Sequence, residues 1–202
     1  MPDVASTREE VHRLAEACSE EGDAFQPTAM RLVREQRRLS KFFEANFETL
    51  GAMSGQVALY MLTVSMRVFE QLGGRLTKVS GKDIDAASAK VQAVMDELLP
   101  ADEGFAERVK AVAWRAQPHL LDEVLWALYE RDDAKAEGRA EPEADGEDAA
   151  EDGEETPAGP VDLDADQSAM VYMMLWVAIE ALDANWRPPS TWGPDDPRAD
   201  VG

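Results

Sequence analysis

Cysteine and histidine are nearly absent from this sequence, which has one cysteine and two histidines in 202 residues. A single cysteine, Cys18, excludes an internal disulfide and any zinc site built from several thiolates, and it is typical of a reducing compartment. His12 lies six positions away on the same predicted helix, about 120° around its axis. We therefore expect Cys18 to be a buried apolar residue, because it has no nearby base to make it a nucleophile.

Long hydrophobic runs are also missing. The longest, residues 169–179, has eleven apolar residues, whereas a membrane-spanning helix needs about 20. The first ten residues, MPDVASTREE, have no apolar segment of the kind that a signal peptide contains. We predict a cytoplasmic protein that does not enter the membrane. Arginine outnumbers lysine by 14 to 6 and alanine is abundant, which suggests a GC-rich bacterial genome.

Positive charge is scarce, since 20 basic residues against 41 acidic ones give a net charge of −21. Twelve acidic residues lie within positions 141–166, where lysine and arginine are absent. Residues 136–160 also have no large apolar side chain, so burial there does not offset the entropy cost of ordering the chain. We predict a disordered acidic insertion over residues 136–162.

No stretch alternates β-branched and polar residues, and apolar residues recur at helical spacing, which predicts an all-α protein. We predict a single helical domain of about seven helices, with six helices in residues 1–135, the insertion over 136–162 and the last core helix in 163–186. Residues 187–202 form an extended tail rich in proline and tryptophan. The predicted helices start after Ser6, near Pro27, after Ser54, after Ser80, after Asp102, at Pro118 and after Asp164. The second runs to about Leu50 and the third ends at Gly73 and Gly74. The fourth ends before Pro100, the fifth ends before Pro118, and the sixth runs to about Lys135.

The first helix contains a Glu-x-x-His motif, Glu9 and His12, which helical di-iron proteins use twice to bind metal. The other histidine, His119, has Ala116 three positions before it, so the motif is not repeated. Glu9 also fits a capping box with Ser6, which we take as its role. We predict no metal ligands, no cofactor and no catalytic residues.

The third and last helices are apolar around most of their circumference, which indicates helices buried on most sides. In the last helix we expect six residues to be buried: Met170, Val171, Met174, Leu175, Ala178 and Leu182. Two acidic residues, Glu180 and Asp183, lie near the C-terminal end of that helix, where the helix dipole disfavours negative charge. Arg187 is a candidate partner for them. We do not assign them as a catalytic pair, because no positioned nucleophile or histidine accompanies them.

The sixth helix carries a polar face with a tryptophan in it. His119, Glu123, Trp126 and Glu130 lie on this face, opposite an apolar stripe. One interpretation is a solvated face with Trp126 against a neighbouring helix. The other is a surface for a protein partner, anchored by Trp126, since tryptophan is enriched at interface hot spots. Trp186 and Trp192 in the tail are further candidates for the partner surface.

The second helix is amphipathic, with four basic residues opposite an apolar face formed by Leu32, Leu39, Phe43 and Leu50. The candidate anion-binding residues are Arg31, Arg34, Arg38 and Lys41. They form either an ordinary solvated face, a face covered by the acidic insertion, or a phosphate-binding stripe. No aromatic side chain lies among them and no base-reading motif follows.

The leading functional prediction is a non-enzymatic helical adaptor or accessory subunit that binds another protein. The first alternative is a nucleic-acid-associated regulator that uses the basic stripe gated by the acidic insertion, or that uses the insertion to mimic phosphates. The second alternative is a metal-dependent helical enzyme. Salt separates the first two, because phosphate contacts weaken steeply as salt increases.

Overall fold

The computed structural model describes residues 6–129 and 163–190. The predicted insertion, most of the predicted tail, Glu130 and Trp192 lie outside the described residues. The described part contains nine α-helices, a short 3-10 helix over Gly22–Phe25 and a two-stranded antiparallel pair. The helices are α1 (Arg8–Glu20), α2 (Gln26–Glu35), α3 (Arg37–Ala45), α4 (Phe47–Leu50), α5 (Ala52–Gln71), α6 (Gly81–Leu98), α7 (Phe105–Lys110), α8 (Pro118–Tyr129) and α9 (Ala165–Asp183). The strands are β1 (Arg75–Leu76) and β2 (Trp186–Arg187). The predicted all-α fold is confirmed.

The last helix, α9, lies in the middle of the hydrophobic core. It packs against α5, α6 and α8, and its Tyr172 and Trp176 are fully enclosed. Of the six residues expected to be buried, Val171, Leu175, Ala178 and Leu182 are buried, and Met174 is partly buried. The prediction that Met170 is buried was wrong, because its side chain is exposed near the start of the helix. The core therefore combines side chains from both sides of residues 130–162.

The helix starts at Ser80 and Asp164 were predicted correctly. Ser80 and Asp83 form a capping box at α6, and Asp164 and Gln167 form one at α9. The predicted Ser6 cap was wrong, because the Thr7 hydroxyl accepts the hydrogen bond from the Glu10 amide instead.

The predicted second helix is divided into α2, α3 and α4, which explains why more helices are found than expected. The first break is at Gln36, whose φ and ψ of −102° and 47° are not helical. Its buried side chain bonds a distant segment: Nε2 donates to the Thr77 carbonyl, and Oε1 accepts from the Val79 amide. The second break is at Asn46, whose side-chain nitrogen Nδ2 donates to the Phe42 carbonyl. Side chains that bond backbone groups compete with helix hydrogen bonds.

The predicted fifth helix is shorter than expected. Only Phe105–Lys110 is helical, and residues 111–117 form a loop that leads into α8. The third helix ends as predicted, because Gly73 and Gly74 adopt φ values of 81° and 76°, which favour glycine. The chain then forms β1, which pairs with β2 so that Arg75 faces Arg187 and Leu76 faces Trp186.

Candidate interaction surfaces

The loop of residues 111–117 presents Trp114 at the surface. The side chain is 41% exposed, yet one face of its ring stacks on Trp176 of α9. The two ring centres are 5.2 Å apart and the planes are inclined by 25°. Trp176 itself is fully buried. One face of this exposed indole therefore packs against the hydrophobic core.

A buried carboxylate lies beside this pair of rings. Glu180 follows Trp176 by one helical turn, and its side chain is 4% exposed. Its Oε1 accepts hydrogen bonds from the Ala116 amide at 2.7 Å and from Trp176 Nε1 at 3.2 Å. Its Oε2 is 3.4 Å from Nζ of Lys90 on α6. A buried carboxylate needs such partners, and these partners join the loop and α6 to α9.

Lys90 connects the carboxylate to the exposed indole. Its ammonium nitrogen lies 5.8 Å from the centre of the Trp114 ring, within the range of a cation–π contact. The Lys90 side chain is 62% exposed, so much of the ammonium remains in contact with solvent. We name Trp114, Lys90, Trp176 and Glu180 the Trp114 site.

Two further side chains fix the loop. The buried Gln117 has φ of 47°; its Oε1 accepts from both the amide and the hydroxyl of Ser6, and its Nε2 donates to Asp183 at 2.8 Å. Arg115 is nearly buried, pairs with Asp122 at 2.7 Å and donates to the carbonyls of Lys110 and Val112. The loop is thus bonded to Ser6, which precedes α1, and to α8 and α9. Ser6 does not cap α1 because its hydroxyl is used here.

The nearby tyrosines and the cysteine are poor bases and nucleophiles at neutral pH. Burial raises the pKa of Tyr129 to about 12 and raises the pKa of Tyr172 further. Burial also raises the pKa of the Cys18 thiol, which packs in the core as expected. All three groups are therefore protonated at neutral pH.

The predicted partner face on α8 meets α1. Nδ1 of His12 is 3.0 Å from a carboxylate oxygen of Glu123, and the His12 ring contacts the edge of Trp126 at a centre distance of 6.1 Å. Trp126 remains 37% exposed, and His119 is half-buried. His12, which the Glu-x-x-His motif singled out, therefore joins two helices. The arrangement fits the interpretation of Trp126 as a side chain against a neighbouring helix.

Trp186 belongs to the core, so its assignment to a partner surface was wrong. The side chain is 7% exposed. Its Nε1 donates to the Gly73 carbonyl at 2.9 Å, and its ring contacts Phe69 edge-on at 5.5 Å. The reason is the pairing of β2 with β1, which turns Trp186 inward and Arg187 outward.

The four predicted anion-binding residues lie on two helices rather than on one stripe. Arg31 and Arg34 are on α2, and Arg38 and Lys41 are on α3. Arg31 is neutralised by Glu35 and by Glu70, at 3.1 and 2.8 Å. Arg34, Arg38 and Lys41 are exposed and form no ion pair with the residues that the structure describes.

Sequence reasoning missed Trp114 and Lys90. Trp114 lies in a loop, where helical periodicity gives no information, and Lys90 resembles any exposed lysine. The detectable signal was Glu180, an acidic residue in an otherwise apolar helix. Arg187, the proposed local partner, does not pair with it; Lys90 and the Ala116 amide do.

No helix in residues 6–129 or 163–190 combines the length and apolar character that crossing a bilayer requires. Within the same ranges, histidine, cysteine and carboxylate side chains form no group of three or more that could hold a metal ion. No protein-family model, no curated protein and no solved structure matches this chain.

Proposed function

We propose that this protein is a non-enzymatic helical adaptor that binds another protein at the Trp114 site. The observation that carries the proposal is an exposed indole held in one position by a buried ring and by a loop bonded to α8, to α9 and to Ser6. Tryptophan is the residue type most enriched at interface hot spots. A side chain that is ordered before binding also loses little entropy on association.

The chemistry of the site defines the partner. Trp114 provides a large apolar surface, and Lys90 provides a positive charge over its ring. The opposing carboxylate of Glu180 is buried beneath them and does not face a partner. The matching partner surface has an apolar side chain next to an aspartate or glutamate, so that one residue covers the indole and the other pairs with Lys90.

The test compares two tryptophans of similar exposure. The intact chain and its Trp114→Ala and Trp126→Ala variants are used to capture proteins from the source organism, and each captured protein is then titrated in purified form. We expect one partner that binds the intact chain and Trp126→Ala alike, and that binds Trp114→Ala at least tenfold more weakly. Thermal denaturation of each variant establishes that it is folded.

A lysine pair tests the charge separately from the ring. Lys90→Gln removes the ammonium charge of the site, and Lys82→Gln makes the same change in net charge at the start of α6. We expect only Lys90→Gln to weaken binding, and to weaken it more at low salt. If Trp126→Ala weakens partner binding as much as Trp114→Ala does, or if neither variant weakens it, the proposal is wrong.

A further inference from the structure

The break at Gln36 brings together basic residues that are distant in sequence. The buried side chain of Gln36 bonds the backbone at Thr77 and Val79, at 3.1 and 3.0 Å. Lys78 lies between these two positions, so its backbone is next to the first turn of α3. That turn begins with Arg37 and Arg38, both exposed.

The strand pair adds two more cations beside this place. Arg75 and Arg187 are directly opposite each other in the antiparallel register, so their side chains are on the same face of the pair. Both are exposed, while their neighbours Leu76 and Trp186 turn inward. The Thr77 amide bonds the Asn185 carbonyl, which continues the pairing toward Lys78. We name the following six residues the basic surface: Arg37, Arg38, Lys41, Arg75, Lys78 and Arg187.

The basic surface retains its charge within the described structure, in contrast to its surroundings. None of its six members forms an ion pair with a residue in 6–129 or 163–190. Nearby, Glu70 accepts from both Arg31 and Arg67, and these bonds hold its pKa below the ordinary value although burial opposes this. Asp83 is occupied as the capping partner of Ser80. Glu70 is thus paired with other arginines, and Asp83 is bonded to the start of α6.

We infer that the basic surface binds the phosphate backbone of a nucleic-acid duplex. Four of its six residues are arginine, whose guanidinium group forms paired hydrogen bonds with phosphate oxygens. The large apolar side chains that the described structure exposes lie at other positions. Within the described residues, the surface therefore offers no aromatic ring for stacking on unpaired bases, which favours a duplex over a single strand.

The acidic residues of the same chain argue against an acidic peptide as the ligand of the basic surface. The nine acidic residues between positions 141 and 155 are tethered to the same chain, so their carboxylates compete at a high effective concentration. A free acidic peptide offers the same carboxylate groups without the tether, so it displaces the nine acidic residues poorly. A duplex carries one charge per about 1.7 Å and releases condensed counterions on binding, which gives it the advantage among polyanions.

Fluorescence anisotropy with a labelled DNA duplex of about 20 base pairs, between about 50 and 200 mM salt, tests this inference. The native chain is compared with a full-length chain in which the nine acidic residues of 141–155 are replaced by glutamine. In each background, Arg38→Gln with Lys78→Gln is compared with Arg8→Gln with Arg13→Gln. The control pair changes the net charge equally but lies on α1.

We expect the chain with glutamine at the nine acidic positions of 141–155 to bind the duplex more tightly than the native chain. Arg38→Gln with Lys78→Gln should lower the slope of log K against log salt by about 2, because two phosphate contacts are lost. The control pair should leave the slope unchanged. Absence of duplex binding in both backgrounds, or equal losses from the two pairs, would overturn the inference. Binding of poly-glutamate that depends on Arg38 and Lys78, without duplex binding, would overturn it in favour of an acidic protein partner.

Discussion

At the scale of single residues, three buried polar side chains each connect distant parts of the chain. Glu180 joins the loop before α8 to α9, Gln117 joins that loop to Ser6, and Gln36 joins the α2–α3 break to residues 77–79. Buried polar groups are costly unless hydrogen-bonded. Each of these side chains therefore restricts the fold to one arrangement of its loop.

Replacing Glu180 tests this role. Glu180→Leu leaves the Ala116 amide and Trp176 Nε1 without their acceptor, so we expect a loss of about 2–4 kcal/mol in the free energy of unfolding. Glu180→Gln keeps an acceptor at the same place and should lose less. Urea denaturation followed by tryptophan fluorescence measures both, with exposed Glu44→Gln as the control. Equal stability of the leucine variant and the intact chain would show that the carboxylate does not hold the loop.

For Tyr172 we expect the opposite effect, because its buried hydroxyl forms no hydrogen bond of normal geometry in the described part of the structure, although the Arg115 guanidinium group lies close to it. Removing the hydroxyl in Tyr172→Phe should leave stability at neutral pH unchanged or increase it, since no bond is lost and a desolvation cost disappears.

Alkaline pH gives a second readout of the same variant. The folded-state pKa of Tyr172 is raised by burial, so above pH 10 the unfolded chain releases this proton first and the free energy of unfolding falls as pH increases. Tyr172→Phe should make this fall less steep. Urea midpoints at pH 8 and at about pH 11 test both readouts, because an ordinary phenol titrates near pH 10. A large loss at pH 8 would mean that the hydroxyl has a stabilising partner.

At the scale of helices, the sequence predicted which residues face the core better than where the backbone bends. Leu32, Leu39, Phe43 and Leu50 were placed on one apolar face, and all four are buried. The helix that was to carry them is nevertheless broken twice, because the apolar spacing continues through Gln36 and Asn46. The breaks depend on bonds from Gln36 to residues more than forty positions away, and local patterns contain no information about such contacts.

The candidate site was less predictable than the fold for the same reason. The helix starts at Ser80 and Asp164 depend on local sequence and were predicted, whereas Trp114 depends on stacking across 62 positions of sequence. The α8 face was identified from its periodicity alone. The approach of His12 from α1 was not visible in that pattern.

At the scale of the whole molecule, the last helix completes a core that the first eight helices begin. Thirteen residues of α9 are buried, and the helix contacts α5, α6 and α8. Trp186 then packs at the end of α5, where it donates to the Gly73 carbonyl and contacts the Phe69 ring. Without α9, those three helices would expose their apolar faces to water, and the lost burial would far exceed the usual net stability of a domain.

Ending the chain after Gly159 should therefore give an aggregated or molten product. The control ends after Pro189 and retains both α9 and β2, so it should fold cooperatively. Size-exclusion chromatography and near-ultraviolet circular dichroism compare the two: the shorter chain should lose the tertiary signal of its tryptophans, and the control should keep it. A monomeric 1–159 chain with a cooperative unfolding transition would show that the first eight helices form a complete core by themselves, with α9 docked on its outside.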